Sequence, residues 1–249
     1  MAGKTKTYFL SDLHLGAKYY DNPIEKERKI VGFLDHIKHD AKAIYLLGDI
    51  LDYWFEYKYV VPRGYTRFFG KLAELSDAGI KITWFIGNHD IWIFDYIQTE
   101  LGIEVIDGSI ERLIDGKIFF LTHGDGVGKL PTLFKIIRAV FRNKTCQKLY
   151  AMIHPRWTIP FALSWSNTSR QAAFEPEPYR GKNDESLILF AKQHHENNKN
   201  INYFIFGHRH ILVSEQIAEN CKAIILGEWI STCSYAVFDG IELTTHKWQ

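Results

Sequence analysis

The stretch YFIFGHRHIL, residues 203–212, runs four apolar residues into a glycine and then sets His208 and His210 on either side of Arg209. A short apolar run of this kind reads as a buried strand. If the chain stays extended past the glycine, residues two apart point to the same side. A lone histidine near a core is ordinarily a hydrogen-bonded structural residue. Two neutral imidazoles aimed at one spot suit a divalent transition metal. Whether they serve one depends on carboxylates arriving at the same place.

The same punctuation recurs along the chain. TYFLSDLHLG (7–16) reads as a strand breaking at Asp12, and AIYLLGDILDYWF (43–55) as one breaking at Gly48-Asp49. KITWFIGNHD (81–90) breaks at Gly87-Asn88, and KIFFLTHGDG (117–126) at His123. Helical periodicity lies between several of these runs. Ile30, Phe33, Leu34 and Ile37 fall at three-and-four spacing within residues 23–40, and residues 64–79 and 184–200 read similarly. Strands alternating with helices predict α/β layers with covered sheets. IEVIDGSIERLIDGKIFFLTH, after residue 102, reads as hairpin-like strands with Asp-Gly turns at 107–108 and 115–116. The tail, 222–248, also reads as strands, with Asp-Gly at 239–240. The expected fold is mixed, with two sheets facing each other and helices outside.

Bulk properties narrow the function. The chain has 249 residues, 46% hydrophobic and 24% charged, an ordinary soluble composition. A net charge of +1 carries no global signal for a polyanion, so no nucleic-acid partner is expected. Cys146, Cys221 and Cys233 form no CxxC pair and read as reduced thiols of a cytosolic protein. The apolar stretch near the N-terminus is short and broken by Asp12 and His14, unlike a signal peptide. No apolar run reaches membrane-spanning length.

Residues 126–174 depart from the pattern. They carry Lys129, Lys135, Arg138, Arg142, Lys144, Lys148, Arg156 and Arg170, and neither Asp nor Glu. Apolar residues interleave with them, and LPTLFKIIRAVFRNKTCQKLYAMIHPRW (130–157) predicts one or two basic amphipathic helices. The chain is read as a single domain over 1–249 with a helical cap insertion at about 126–182. Trp157, Phe161 and Trp165 are read as core residues of that cap.

The strand ends collect Asp12 and His14, Asp49, Asn88-His89-Asp90, His123-Gly124-Asp125, and His208 and His210. Ligands bind at strand carboxyl ends in layered α/β proteins. Carboxylate, imidazole and amide without thiolate suit two divalent ions such as Mn²⁺, Fe²⁺ or Zn²⁺. D-x-H, G-D, G-N-H-D, H-G-D and G-H-x-H, in this order over residues 12–210, resemble the calcineurin-like metallophosphoesterases. The resemblance implies a four-layer sandwich of two facing mixed sheets flanked by helices. It also implies two divalent metal ions, Mn²⁺ foremost. One would take Asp12, His14, Asp49 and His210; the other Asp49, Asn88, His123 and His208, with Asp49 as the bridge. His89, Asn88 and Asp49 are the expected catalytic residues. His89 would lie over the phosphate and stabilise the transition state or protonate the leaving oxygen. Asp52 and Asp90 are expected to orient ligands, with Asp125 a weaker candidate. Arg209 is read evenly as a phosphate contact or a structural ion pair.

Within that superfamily, length and motif spacing look most like the UDP-2,3-diacylglucosamine hydrolases of lipid A synthesis. SDLHLG, the helical insertion and LGEW (226–229) are similar. The resemblance implies cleavage of a diphosphate to UMP and 2,3-diacylglucosamine 1-phosphate. The partners would be a nucleotide-lipid substrate and the cytoplasmic face of a Gram-negative inner membrane, bound peripherally. Asn88, His89, Lys129, Asn167, Ser169, Arg170 and His208 are the candidate substrate contacts, with Lys135 and Arg138 nearby in the cap. Two departures keep an alternative open. G-N-H-D replaces the G-N-R-D of the well-studied branch, and GVGKLP follows H-G-D where that branch is acidic. A metal-dependent phosphodiesterase or phosphatase acting on a soluble nucleotide or a phosphoprotein would share the metal site. A non-catalytic scaffold of the same fold is disfavoured, since all seven ligand positions are filled. The oligomeric state is left open.

Overall fold

The computed structural model describes residues 3–17, 22–128, 130–171 and 178–249, with backbone alone at 167–171. In chain order the first half is β1 (Lys6–Leu10), α1 (Pro23–Ile37), β2 (Ala41–Leu47), α2 (Thr66–Asp77), β3 (Lys81–Phe85), α3 (Tyr96–Leu101), β4 (Glu104–Ile106), β5 (Ser109–Ile114) and β6 (Lys117–Thr122). Then follow α4 (Thr132–Arg142), α5 (Lys144–Ala151), α6 (Pro155–Gln171), α7 (Ser186–Asn197), β7 (Tyr203–Phe206), β8 (Leu212–Ala218), β9 (Cys221–Leu226), β10 (Ser234–Phe238) and β11 (Leu243–Lys247).

One sheet has the order β11-β10-β1-β2-β3-β4 and the other β5-β6-β7-β9-β8. The period-two alternation of each strand builds three packed layers from them. Tyr8 and Leu10 of β1, Ile44 and Leu46 of β2, and Ile82 and Trp84 of β3 face α1 and α2, meeting Phe33, Leu34, Phe68 and Leu72. The opposite residues, Phe9, Tyr45, Leu47 and Phe85, pack on Phe119, Leu121, Ile205 and Ile224 of the second sheet. That sheet turns Phe120, Phe204, Phe206 and Ile225 onto α7, against Leu187, Ile188 and Ala191. The result is the expected pair of facing mixed sheets with helices on both sides.

Helix ends follow local chemistry. Pro23 opens α1, and the Asn22 side chain accepts from the Glu25 amide at 3.1 Å. Glu27 of α1 accepts from the Arg67 and Phe68 amides at the start of α2, at 2.7 and 3.0 Å, so two helices are pinned together by one carboxylate. The Asp-Gly at 115–116 closes the β5–β6 hairpin with both residues at positive φ. The Asp-Gly at 107–108 does not close a hairpin. β4 pairs in parallel with β3, whereas β5 belongs to the other sheet, so this turn crosses between sheets.

Residues 130–157 form two helices, α4 and α5, as expected, and a third, α6, begins at Pro155. The Asn143 side chain accepts from the Thr145 and Cys146 amides and starts α5 afresh after α4. An aromatic and hydroxyl cluster fastens these helices to the sheet-end loops. Trp92 Nε1 donates to Phe141 O at 2.8 Å, and its ring lies 5.0 Å from those of Phe141 and Tyr150. The Tyr53 and Tyr150 hydroxyls meet at 3.1 Å, and those of Tyr57 and Thr158 at 2.5 Å. Trp157, Phe161 and Trp165 are exposed, at 71%, 64% and 53%, and so do not form the core expected of them. The segment's apolar residues outnumber what its contact with the sheets can bury.

Candidate metal centre

The parallel strands β1, β2 and β3 of one sheet and β6 and β7 of the other end at a common edge. Backbone hydrogen bonds then join the loops after β1 and β2 to each other, and likewise those after β6 and β7. Asp12 N donates to Gly48 O at 3.1 Å, His14 N to Asp49 O at 3.0 Å, and Gly207 N to His123 O at 2.8 Å. His123 Nδ1 donates to Leu47 O at 2.8 Å, which ties the second sheet to the first.

Close approach explains the glycines in these motifs. A Cβ on Gly87 would lie 2.2 Å from Asp49 Oδ1, and one on Gly48 would lie 2.6 Å from the His123 ring. Asp12, His14, Asp49, His208 and His210 all adopt positive φ, between 45° and 68°. Left-handed backbone at a non-glycine residue costs about 1 kcal/mol or more, and its concentration in five chemically competent side chains marks a functional cluster.

The side chains converge as two principal groups, and a third, His14, Asp49 and His89, overlaps both. Asp12, His14 and His210 bring one donor atom each within 4.8 Å of one another, and so do Asp49, His123 and His208. In the first group His210 Nε2 lies 3.2 Å from Asp12 Oδ1, and His14 Nε2 lies 3.7 Å from the same oxygen. His14 Nε2 is also 3.9 Å from Asp49 Oδ2. In the second group His123 Nε2 is 3.4 Å from Asp49 Oδ2 and 3.3 Å from Asn88 Oδ1. Asp49 Oδ2 therefore faces a ring of each group, the position a bridging ligand needs. All seven donors expected from the motifs are brought together.

The donor set fits divalent cations. Asp12 Oδ1 is buried and has no hydrogen-bond partner among the described residues. His123 commits Nδ1–H to a carbonyl, which leaves Nε2 for a ligand role. Burial alone would raise the Asp49 carboxyl, but the facing His123, His89 and His14 rings override it and hold it well below the usual carboxylate range. Burial would lower His123, yet Asp49 beside it raises it well above the usual imidazole value. His208 is pushed down to about 4 by burial and by His123, so it stays a neutral imidazole.

The neighbouring residues sort differently. Asp52 Oδ1 lies 3.6 Å from His14 Nδ1, in place to orient that ring. Asp90 instead braces backbone and indole: it accepts from the Gly87 and Ile50 amides at 2.7 and 3.0 Å and from Trp84 Nε1 at 3.2 Å. Asp125 pairs with Arg138 of α4 at 2.8 Å. Arg209 makes a two-pronged contact with Glu185, whose carboxylate is 1% exposed, the ion-pair half of the two expected roles. Lys129 and the Asn167, Ser169 and Arg170 side chains lie outside the described residues.

A cavity of about 600 Å³ opens from Asn88, His89 and Asp52 and runs under the helices between Trp92, Phe134, Ile137, Phe141, Phe161 and Trp165. Its walls are mostly apolar. Ser166, which no sequence pattern singled out, stands at the junction of cavity and metal centre.

A sequence model of the Calcineurin-like phosphoesterase family matches residues 5–212. The chain is similar to UDP-2,3-diacylglucosamine hydrolase of Porphyromonas gingivalis, with 44% identity over 96% of each chain. The enzyme of that name from Neisseria meningitidis is 28% identical, over 76% of this chain and 85% of its own. That of Serratia proteamaculans is 24% identical over 90% of each chain.

Proposed function

This chain belongs to the calcineurin-like phosphoesterase family, a family of metal-dependent hydrolases, and we propose that it cleaves the diphosphate of UDP-2,3-diacylglucosamine. The products would be UMP and 2,3-diacylglucosamine 1-phosphate. The observation that carries the reading is one continuous site: seven metal-type donors at one end and a largely apolar cavity of about 600 Å³ at the other. A soluble nucleotide would leave that cavity unused.

Asp12, His14, Asp49 and His210 would hold one cation, and Asp49, Asn88, His123 and His208 the other. Two divalent cations supply Lewis acidity, which lowers the pKa of water and offsets charge on phosphoryl oxygens. Mn²⁺ is the ion we favour, since the donors mix carboxylate, amide and imidazole without thiolate. His89 sits at the mouth of the cavity, its amide donating to Asp49 Oδ1 at 2.8 Å. It would hold a proton toward the leaving oxygen, or stabilise charge on the phosphoryl group. Residues 126–182 would act as a cap, with Phe161 and Trp165 among its acyl contacts.

The same segment supports a peripheral site of action on a membrane. Leu149, Met152, Ile153 and Trp157 are exposed beside Lys148 and Arg156, and no acidic residue occurs from 126 to 174. Such a face suits an anionic lipid surface, here the cytoplasmic leaflet of a Gram-negative inner membrane. Among the described residues no helix is long and apolar enough to cross a membrane.

Incubation with Mn²⁺ and the lipid nucleotide in detergent, with UMP release measured, tests the reading. Asp49→Ala is the control. Release that this variant loses supports both substrate and bridge. No release, with hydrolysis of bis(para-nitrophenyl) phosphate retained, would keep the metal chemistry and overturn the substrate. His89, where the well-studied branch carries arginine, would then point to another phosphoester.

A further inference from the structure

We infer that Ser166, on helix α6, is a positioning residue for His89. The inference rests on the reading of His89 as the group that meets the phosphoryl or leaving oxygen. Ser166 is 6% exposed. Its hydroxyl donates to Asp52 Oδ2 at 3.0 Å, and its oxygen lies 3.3 Å from His89 Nδ1. The Asp52 backbone carbonyl lies 3.1 Å from the same nitrogen.

These contacts define the ring's state. A carbonyl only accepts, so Nδ1 carries hydrogen. The serine proton is committed to Asp52, so its lone pairs face Nδ1 as a second acceptor. The two acceptors together fix the orientation of the His89 ring about Nδ1. Asp52 Oδ1 lies 3.7 Å from His89 Nδ1 and 3.6 Å from His14 Nδ1. One carboxylate thus stands between the ring proposed to hold metal and the ring proposed to meet the phosphate. The two rings meet edge to face at 5.0 Å between centroids.

Ser166 also links this corner to the cavity. Ala162 and Ser166, and Phe161 and Trp165, are four residues apart on α6, and all four line the cavity with His89. An apolar tail filling the cavity would pack on the helix face that presents the hydroxyl. The orientation of His89 then depends on the seating of a helix that belongs to the basic segment, not to the sheets.

The test measures kcat and KM for UMP release with Mn²⁺ in the wild type, Ser166→Ala, Ser166→Thr, His89→Ala and the Ser166→Ala/His89→Ala pair. Ser166→Ala is expected to lower kcat about tenfold to a hundredfold, with KM within about twofold. Ser166→Thr, which keeps the hydroxyl, should restore most of the rate. In the His89→Ala background, Ser166→Ala should cost nothing further, because residues acting as one unit are not additive. Losses that multiply instead would mean that Ser166 acts apart from His89, and would overturn the inference. So would an unchanged kcat in Ser166→Ala. A wild-type rate in His89→Ala would defeat the reading of His89 itself. If the wild type releases no UMP, the same cycle on bis(para-nitrophenyl) phosphate decides the role of Ser166 independently.

Discussion

His14 Nε2 and His210 Nε2 lie 3.1 Å apart, although 196 positions separate them in the chain. Both face Asp12 Oδ1, a buried acceptor without a hydrogen-bond partner among the described residues. Three donors gathered around one point are better explained by a shared cation than by a hydrogen bond between two rings. His210→Ala should therefore lower occupancy of one metal of the pair and leave the other. Metal content after dialysis against limiting Mn²⁺ should fall from about two ions per chain toward one. Retention of both ions would remove His210 from the ligand set.

The same geometry makes metal a stabiliser. Asp12 and Asp49 are buried carboxylates, each faced by imidazoles and by a backbone amide, with no Lys or Arg paired to either among the described residues. A ligand at a hundred times its dissociation constant stabilises the folded state by about 2.7 kcal/mol. For a chain of this size that corresponds to a Tm shift of roughly 5–10 °C. EDTA treatment followed by Mn²⁺ titration should show such a rise in a thermal melt. A melt insensitive to both would mean that the donors do not bind metal in the folded protein.

Gly87 offers a more local test. A Cβ there would fall 2.2 Å from Asp49 Oδ1 and 2.4 Å from the Asp49 amide nitrogen. One of those atoms is the proposed bridging carboxylate and the other is backbone, so neither yields cheaply. Gly87→Ala should destabilise by about 1–3 kcal/mol as an overpacking change. Activity should fall further than stability, because the carboxylate is displaced. Denaturant unfolding and UMP release on the same preparation separate the two effects. Full activity in the alanine variant would show that Asp49 tolerates the shift.

How much was legible beforehand differs from element to element, for physical reasons. Asp12, Asp49, Asn88, His123 and the 208/210 pair were readable because each follows an apolar run where an ordinary turn would place other residues. Asp-Gly at 107–108 announced a turn correctly but could not say which sheet the next strand joins, since β5 finds its partner in β6. The α4–α5 break is made by the Asn143 side chain acting as an N-cap inside an otherwise continuous amphipathic pattern, where apolar spacing alone marks no boundary. α3 is only six residues long, and β8 buries just one of its seven residues, so neither carries a clear periodicity. Glu56 and Ser166 escaped notice because their partners are distant in sequence. Glu56 gathers the Phe94, Asp95 and Tyr96 amides at the start of α3, and Ser166 reaches Asp52 across 114 positions. No local spacing encodes such contacts.

Glu228, in the loop between β9 and β10, yields a pH-dependent prediction. Its carboxylate accepts from the amides of Ile230, Ser231 and Thr232 and from the hydroxyls of Ser231 and Thr232. The next residue, Trp229, donates its amide to Asp12 O at 3.1 Å, so this loop also buttresses the metal centre. Burial alone would raise the Glu228 carboxyl, but the Thr232 and Ser231 donors outweigh it and set it below the usual value. A carboxyl depressed in the folded state contributes stability above its unfolded pKa, about 4.3, and loses it as pH falls through the folded value. Glu228→Gln should therefore cost about 1–3 kcal/mol at neutral pH, since an amide cannot accept through both of its terminal atoms. The gap between variant and wild type should narrow steadily below about pH 4. Urea unfolding of both proteins at a series of pH values from neutral downward measures it. A gap that stays constant across that range would show that the charge of Glu228 does not stabilise the loop.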